Sequence, residues 1–377
     1  MKNKFLFSIF FLTLLIIPGT FVLADDGGSN TAGKPVTFRG EVLTILKEQY
    51  AARDNGQKVK QQNLEVGILD GELKGQRVVY NGISDVDVVS ANTYQVGDKV
   101  LVARSQDEEG HNIFYVTDFV RGNSLLWLLI LFVVAVLLVG GKMGLRALMS
   151  LVVSFFLIMK VLVPLVFLGY DPLLVGIAVS FLVLMALIYL TEGWNRKAHL
   201  SVLAIAVSLI VTALLAYIFS DWSRLSGATQ EEVTFLIEAS KQAIDFHNLL
   251  LAAIIIGTLG VLDDVVVGQV EAVAQIREAN SNLSKSQVFK MAMKVGRAHL
   301  GAIINTLFLA YAGASLPLIL LFNLHQEPFI SFSQVINNEE IATEIVRTLV
   351  GVIGLCLSAP IATIMAVRYG QGKENKG

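Results

Sequence analysis

Seven apolar runs follow one another along the C-terminal two-thirds of this chain, at 124–141, 147–168, 172–191, 199–219, 247–269, 299–323 and 345–368. Each is close to the roughly 20 residues an α-helix needs to cross the hydrocarbon core of a bilayer. Hydrocarbon cannot satisfy a bare N–H or C=O, so spanning segments of this length are helices. The expected fold is an α-helical polytopic membrane bundle of about seven spans. Composition agrees: 54% of the 377 residues are hydrophobic and only 16% charged, against roughly a quarter charged in soluble domains. No basic tail or basic–aromatic surface points to nucleic acid. The lone Cys356 excludes an intrachain disulfide and offers no metal-ligand spacing, so neither a metal nor a cofactor is expected.

Residues 1–24 read as a secretory signal, with Lys2 and Lys4 before an apolar Phe5–Ile17 core and a small-residue site at Val22-Leu23-Ala24. An uncleaved signal anchor is the alternative, and either one places residues 25–123 outside the cytoplasm. That segment alternates polar and apolar residues in five short stretches: 36–42, 63–68, 76–80, 99–102 and 112–116. Turn signals separate them at Asp54-Asn55-Gly56, Asp70-Gly71, Asn81-Gly82, Gly97-Asp98 and Glu109-Gly110. The pattern predicts a small extracytoplasmic all-β domain, an OB-like barrel, ahead of a transmembrane bundle at 124–369 and a cytoplasmic tail at 370–377.

Loop charges orient the bundle. With the β-domain outside, the inner loops carry Lys142 and Arg146, then Arg196 and Lys197, then Arg277, Lys285, Lys290, Lys294 and Arg297. Outer loops carry acids: Asp171, then Asp221, Glu231, Glu232, Glu238 and Asp245, then Glu327, Glu339, Glu340 and Glu344. This obeys the positive-inside rule and predicts the plasma membrane, with the N-terminal domain out and the C-terminus in. Capping boxes at 229–232 and 284–287 predict loop helices. The second helix could lie on the anionic inner leaflet or pack on the bundle.

An acid inside a span costs at least a few kcal/mol, so Asp263 and Asp264, in GTLGVLDDVVVGQVE, are the leading site candidates. At about 1.5 Å per residue they lie roughly 8–9 Å from the inner end of the fifth span. Asn305, Thr306 and Thr363 fall at similar depth on the sixth and seventh spans, which would complete a polar layer for a proton or cation. Adjacent acids diverge by about 100°, so only one is expected to face the interior, and which one is left open. Both acids could instead be solvated at the inner end. Gly257, Gly260 and Gly268 would permit close helix approach or local unwinding, and Glu271 falls at the membrane surface. Lys160, on the second span, is the other intramembrane charge and matches Tyr311 and Ser315 in depth. Pro164, Pro317 and Pro360 would kink their helices. Catalytic patterns such as HExxH, Gly-x-Ser-x-Gly or a Walker loop do not occur, so no enzyme activity is expected.

The segment GTLGVLDD and the run LSKSQVFKMAMKVGRAHLGAIINTLFLAYAGASLPLILLF together resemble the YibE/F-like multi-pass membrane proteins. Positions that match are Gly260, Asp263 or Asp264, Gly296, Arg297, Gly301, Asn305, Thr306, Tyr311, Ser315 and Pro317, whereas Ala298 stands where the pattern has an acid. The resemblance suggests a permease-like role, and Gly301 and Pro317 are expected to be structural. A weaker likeness, with the Asp-to-Glu spacing off by one, is to proton-driven export subunits of the resistance–nodulation–division type. The reading is a transporter- or permease-like protein of the bacterial cell envelope. Its partners would be the bilayer, a proton or cation, a small solute and a second copy or membrane subunit. The alternative is a non-transporting envelope scaffold or signalling protein whose β-domain binds an extracellular partner.

Overall fold

The structure, a computed structural model, describes residues 36–52, 58–83, 92–106, 110–228, 233, 236–237, 244–323 and 330–370. The signal segment, the 54–56 turn, Glu109, the 229–232 capping box, Glu238, Glu327 and the tail lie outside those residues. The chain divides into two compact units, 1–135 and 136–377.

In the first unit, β1 (Val36–Ala52), β2 (Lys58–Ile68), β3 (Arg77–Asn81), β4 (Lys99–Gln106) and β5 (Asn112–Phe119) form one antiparallel sheet in the order β3-β2-β1-β4-β5. Alternation turns Phe38, Val42, Leu64, Val66, Val100, Val102 and Val116 into one core. Register shifts in β1 at Val42/Thr44 and Ile45/Lys47 bend the strand, so its first part pairs with β4 and its remainder with β2. Among the described residues no ladder joins β3 to β5. The expected closed barrel is thus an open five-stranded sheet, with its edge strands β3 and β5 coming near each other without pairing. Buried Gln62 fastens the 92–98 loop: its amide donates to the Tyr94 carbonyl (3.0 Å) and accepts from the Tyr94 N–H (2.7 Å).

The helices are α1 (Gly122–Leu157), a π-helical turn (Ile158–Leu162), α2 (Val163–Phe167), α3 (Pro172–Thr191), α4 (Arg196–Trp222), α5 (Phe246–Ala279), α6 (Lys285–Ala314), α7 (Leu316–Asn323), α8 (Phe332–Asn337) and α9 (Glu339–Tyr369). Five continuous helical stretches among the described residues are long and apolar enough to cross a membrane, where the sequence predicted seven spans. The difference has two local causes. The first stretch, Gly122–Phe167, is 46 residues long, about twice what a bilayer needs. Gly141 interrupts it with φ 51° and ψ −126°, and Gly144 comes against the Val136 carbonyl, so the chain turns back there. The predicted sixth span is split at Ser315 into α6 and α7, and neither piece qualifies alone.

Side-chain caps set the helix starts. Asp171 accepts from the Leu174 N–H (2.8 Å), Asn195 from Ala198 (2.9 Å) and Asp245 from Asn248 (2.9 Å). The predicted capping box at Ser284 and Gln287 is present. It opens a single helix that runs through into the sixth span, with Val288 and Ala292 buried in the main core, so packing on the bundle holds. Asn248 also donates to Asp171 (2.7 Å), tying the starts of α3 and α5 together. Within the second unit α5 is the hub, packing against α3, α4, α6 and α9.

Candidate functional site

Helical rotation on α5 separates the two acids. Leu262, Val265, Val266, Gln269 and Val270 are buried, Asp263 is half-buried, and Asp264 shares an exposed stripe with Ala253, Gly257, Gly260 and Gly268. The Asp263 Oδ1 atom is buried and has no hydrogen-bond partner among the described residues. Asp263 is therefore the acid that faces the bundle. Its charged neighbours are Asp264 and Glu192, the residue that caps the C-terminus of α3, while His299 of α6 neighbours Asp264.

The polar layer expected across three helices does not assemble. α6 turns Leu300, Ile303, Ile304 and Leu307 toward Val261 and Val265 of α5 and Leu355 and Ala359 of α9. Asn305 and Thr306 follow those inward positions by one or two residues and so are exposed; the Thr306 hydroxyl returns to the Ala302 carbonyl (3.0 Å). Thr363 is fully buried, but it sits with Gln269, not with the acids, at 2.9 Å. Gln269 lies six residues beyond Asp263, about 9 Å along the axis.

That second cluster was missed in the sequence. The Thr363 hydroxyl donates its one proton to the Ala359 carbonyl (2.7 Å), so its lone pair accepts from the Gln269 amide. The amide then also reaches the Ala292 carbonyl (3.3 Å) and accepts from the Gly296 N–H (3.2 Å). A Cβ at Gly296 would fall inside the Gln269 side chain. The available signal was a glutamine in phase with the buried apolar positions of α5, paired with a glycine on the next helix.

The remaining candidates separate along the molecule. Glu271 is held by Lys197 (2.8 Å) and Gln275 (3.1 Å), marking the end of the unit opposite Asp171. Lys160 is exposed in the π-helical turn. The turn has a local cause: Pro164 has no N–H to give the Lys160 carbonyl, and Val163 bonds instead to Ile158. Tyr311 and Ser315 lie at the break between α6 and α7, with Pro317 in the first turn of α7. Of the two glycine readings, close approach is corrected, and α5 runs helical through Gly257, Gly260 and Gly268 without unwinding. A Cβ at Gly257, Gly260, Gly268 or Gly301 would meet nothing within 4 Å. Close approach occurs instead at Gly176, 2.6 Å from the Ala252 Cβ for an added Cβ, and at Gly354 against Thr212, because those faces point inward.

The family model for YibE/F-like proteins matches residues 128–371. The chain belongs to the YibE/F-like family. The match starts within α1 and takes in every candidate above, but none of the β-sheet. Curated proteins and solved structures gave no match.

Proposed function

We propose that this YibE/F-like protein is a transporter- or permease-like membrane protein in which Asp263 takes up and releases a proton or small cation. The observation that carries the reading is the half-buried Asp263, with one carboxylate oxygen buried and unpartnered among the described residues, on the central helix of an apolar bundle. An uncompensated carboxylate there is expensive, and a bound proton or cation removes the cost. Asp264, exposed on the neighbouring face with His299 nearby, is placed to hand that charge to water or to the next group. The inner end is the Lys197–Glu271 end, where Arg196, Arg277 and Lys285 gather, and the β-domain lies outside the cell, as the loop charges require. On this reading α6 and α7 together make one broken span, and the protein has no enzyme activity.

The test is electrical. Proteoliposomes carrying the full chain on a supported membrane should give a transient current on a proton or sodium concentration jump. Asp263→Asn should abolish it and Asp264→Asn should slow it. Equal currents from wild type and the double Asn variant, with both proteins folded, would end the reading.

A further inference from the structure

The break in the sixth span opens onto a cavity of about 540 Å³ framed by α6, α7, α8 and α9, within the range of small-molecule sites. Its walls are mainly apolar, contributed by residues such as Phe308 and Ile345, with a few polar groups among them. Tyr311, Ser315 and Thr348 line it, and their hydroxyls make no side-chain hydrogen bonds among the described residues. Glu344 also lines it, but Arg347 neutralises that carboxylate at 2.6 Å. Three hydroxyls among apolar walls can each donate and accept, and the Glu344–Arg347 pair leaves no net charge for an ionic ligand to match.

We infer that this cavity binds a neutral, largely apolar molecule carrying a hydroxyl group. The apolar body fills the pocket, and its hydroxyl exchanges hydrogen bonds with Tyr311, Ser315 and Thr348. The break supplies the room: Ser315 ends α6, and Pro317 at the start of α7 removes an N–H that a continuous helix would have placed there. The site is distinct from Asp263 and does not depend on the transport reading.

The test uses the full chain in lipid nanodiscs with a diazirine-bearing hexadecanol, light, and mass mapping of the adducts. Adducts should concentrate on the ends of α6 and α9 that line the cavity, and unlabelled hexadecanol should compete them away. Thr348→Val should weaken competition by roughly fivefold, the value of about one hydrogen bond. Ser315→Phe should block labelling by filling the space, and Leu349→Trp on the rim does so from a second direction should the first variant not fold. Competition by water-soluble hexanol would assign the ligand to the aqueous phase, and competition by the long chain alone to the bilayer. Asp263→Asn should label as wild type, which separates this site from the ion reading. Uniform labelling along the exposed Leu203–Ile210–Leu214 face of α4, equal labelling by the matching fatty acid, or labelling unchanged in both filled variants overturns the inference.

Discussion

At the scale of single residues, the contact that most firmly joins three helices is the Gln269 amide between Thr363 and the α6 turn at Ala292–Gly296. Gly296→Ala drives a methyl into that amide and is expected to destabilise the protein by about 1–3 kcal/mol. In thermal unfolding of the detergent-solubilised chain, adding Gln269→Ala should recover part of the loss, a coupling that independent sites do not show. A different residue pair sets acid sensitivity in the β-sheet. Arg39 donates to Asp70 through its guanidinium (2.6 Å) and its backbone N–H (2.7 Å), holding that carboxyl below the usual range, and the Arg121 guanidinium (2.6 Å) with the Phe119 N–H (2.8 Å) does so for Asp118. Depressed carboxyls stabilise the fold above the ordinary Asp value, and the contribution is lost as pH falls through their lower folded values. Hydrogen-exchange protection factors at β1 and the 69–76 turn, corrected for the intrinsic pH dependence of exchange, should therefore hold from pH 7 to 5 and fall below about pH 4. Arg39→Gln should remove much of that change. The sequence makes the paired acids plain, since a charge in an apolar run is visible alone. Gln269 is not visible in that way, because its role depends on a glycine far along the chain.

At the scale of elements, the capping box at Ser284 and the strand positions follow from local chemistry and were legible for that reason, whereas the caps at Asp171, Asn195 and Asp245 went unread. Asp171, Asn195, Asp245 and Ser284 each stand where a helix begins, and the five strands grow from the five alternating stretches. What local pattern does not carry is continuity. A hydropathy window reads 299–323 as one span, whereas the chain breaks at Ser315 and extends α6 back to Lys285. The π-helical turn before Pro164 is another such feature. Pro164→Ala restores the missing donor, and the turn should tighten to α-helix and swing Lys160 around the axis. In a Cys356→Ser background, Lys160→Cys should then change its maleimide labelling rate while Leu168→Cys does not.

At the scale of the whole molecule, a membrane protein with a sheet unit and a helical unit is what the sequence pattern states most clearly. Periodicity and length are global signals that a few irregular turns do not erase. Barrel closure was not legible in the same way, since it depends on whether two edge strands meet. Sidedness rests on loop charge and has a direct check. In intact cells with Cys356→Ser, a membrane-impermeant maleimide should label Lys74→Cys and leave Glu278→Cys untouched. The opposite pattern inverts the topology.

The open stripe on α5 bears on how this protein can be engineered. Gly257, Gly260 and Gly268 sit mid-helix with no neighbour that a methyl would touch. Alanine at each position would favour the helix by up to about 1 kcal/mol. The chain therefore holds its most central helix less rigid than its own packing requires. A three-alanine form offers a sturdier protein for purification, and any activity it loses would show that a pliable face beside Asp264 belongs to the working cycle.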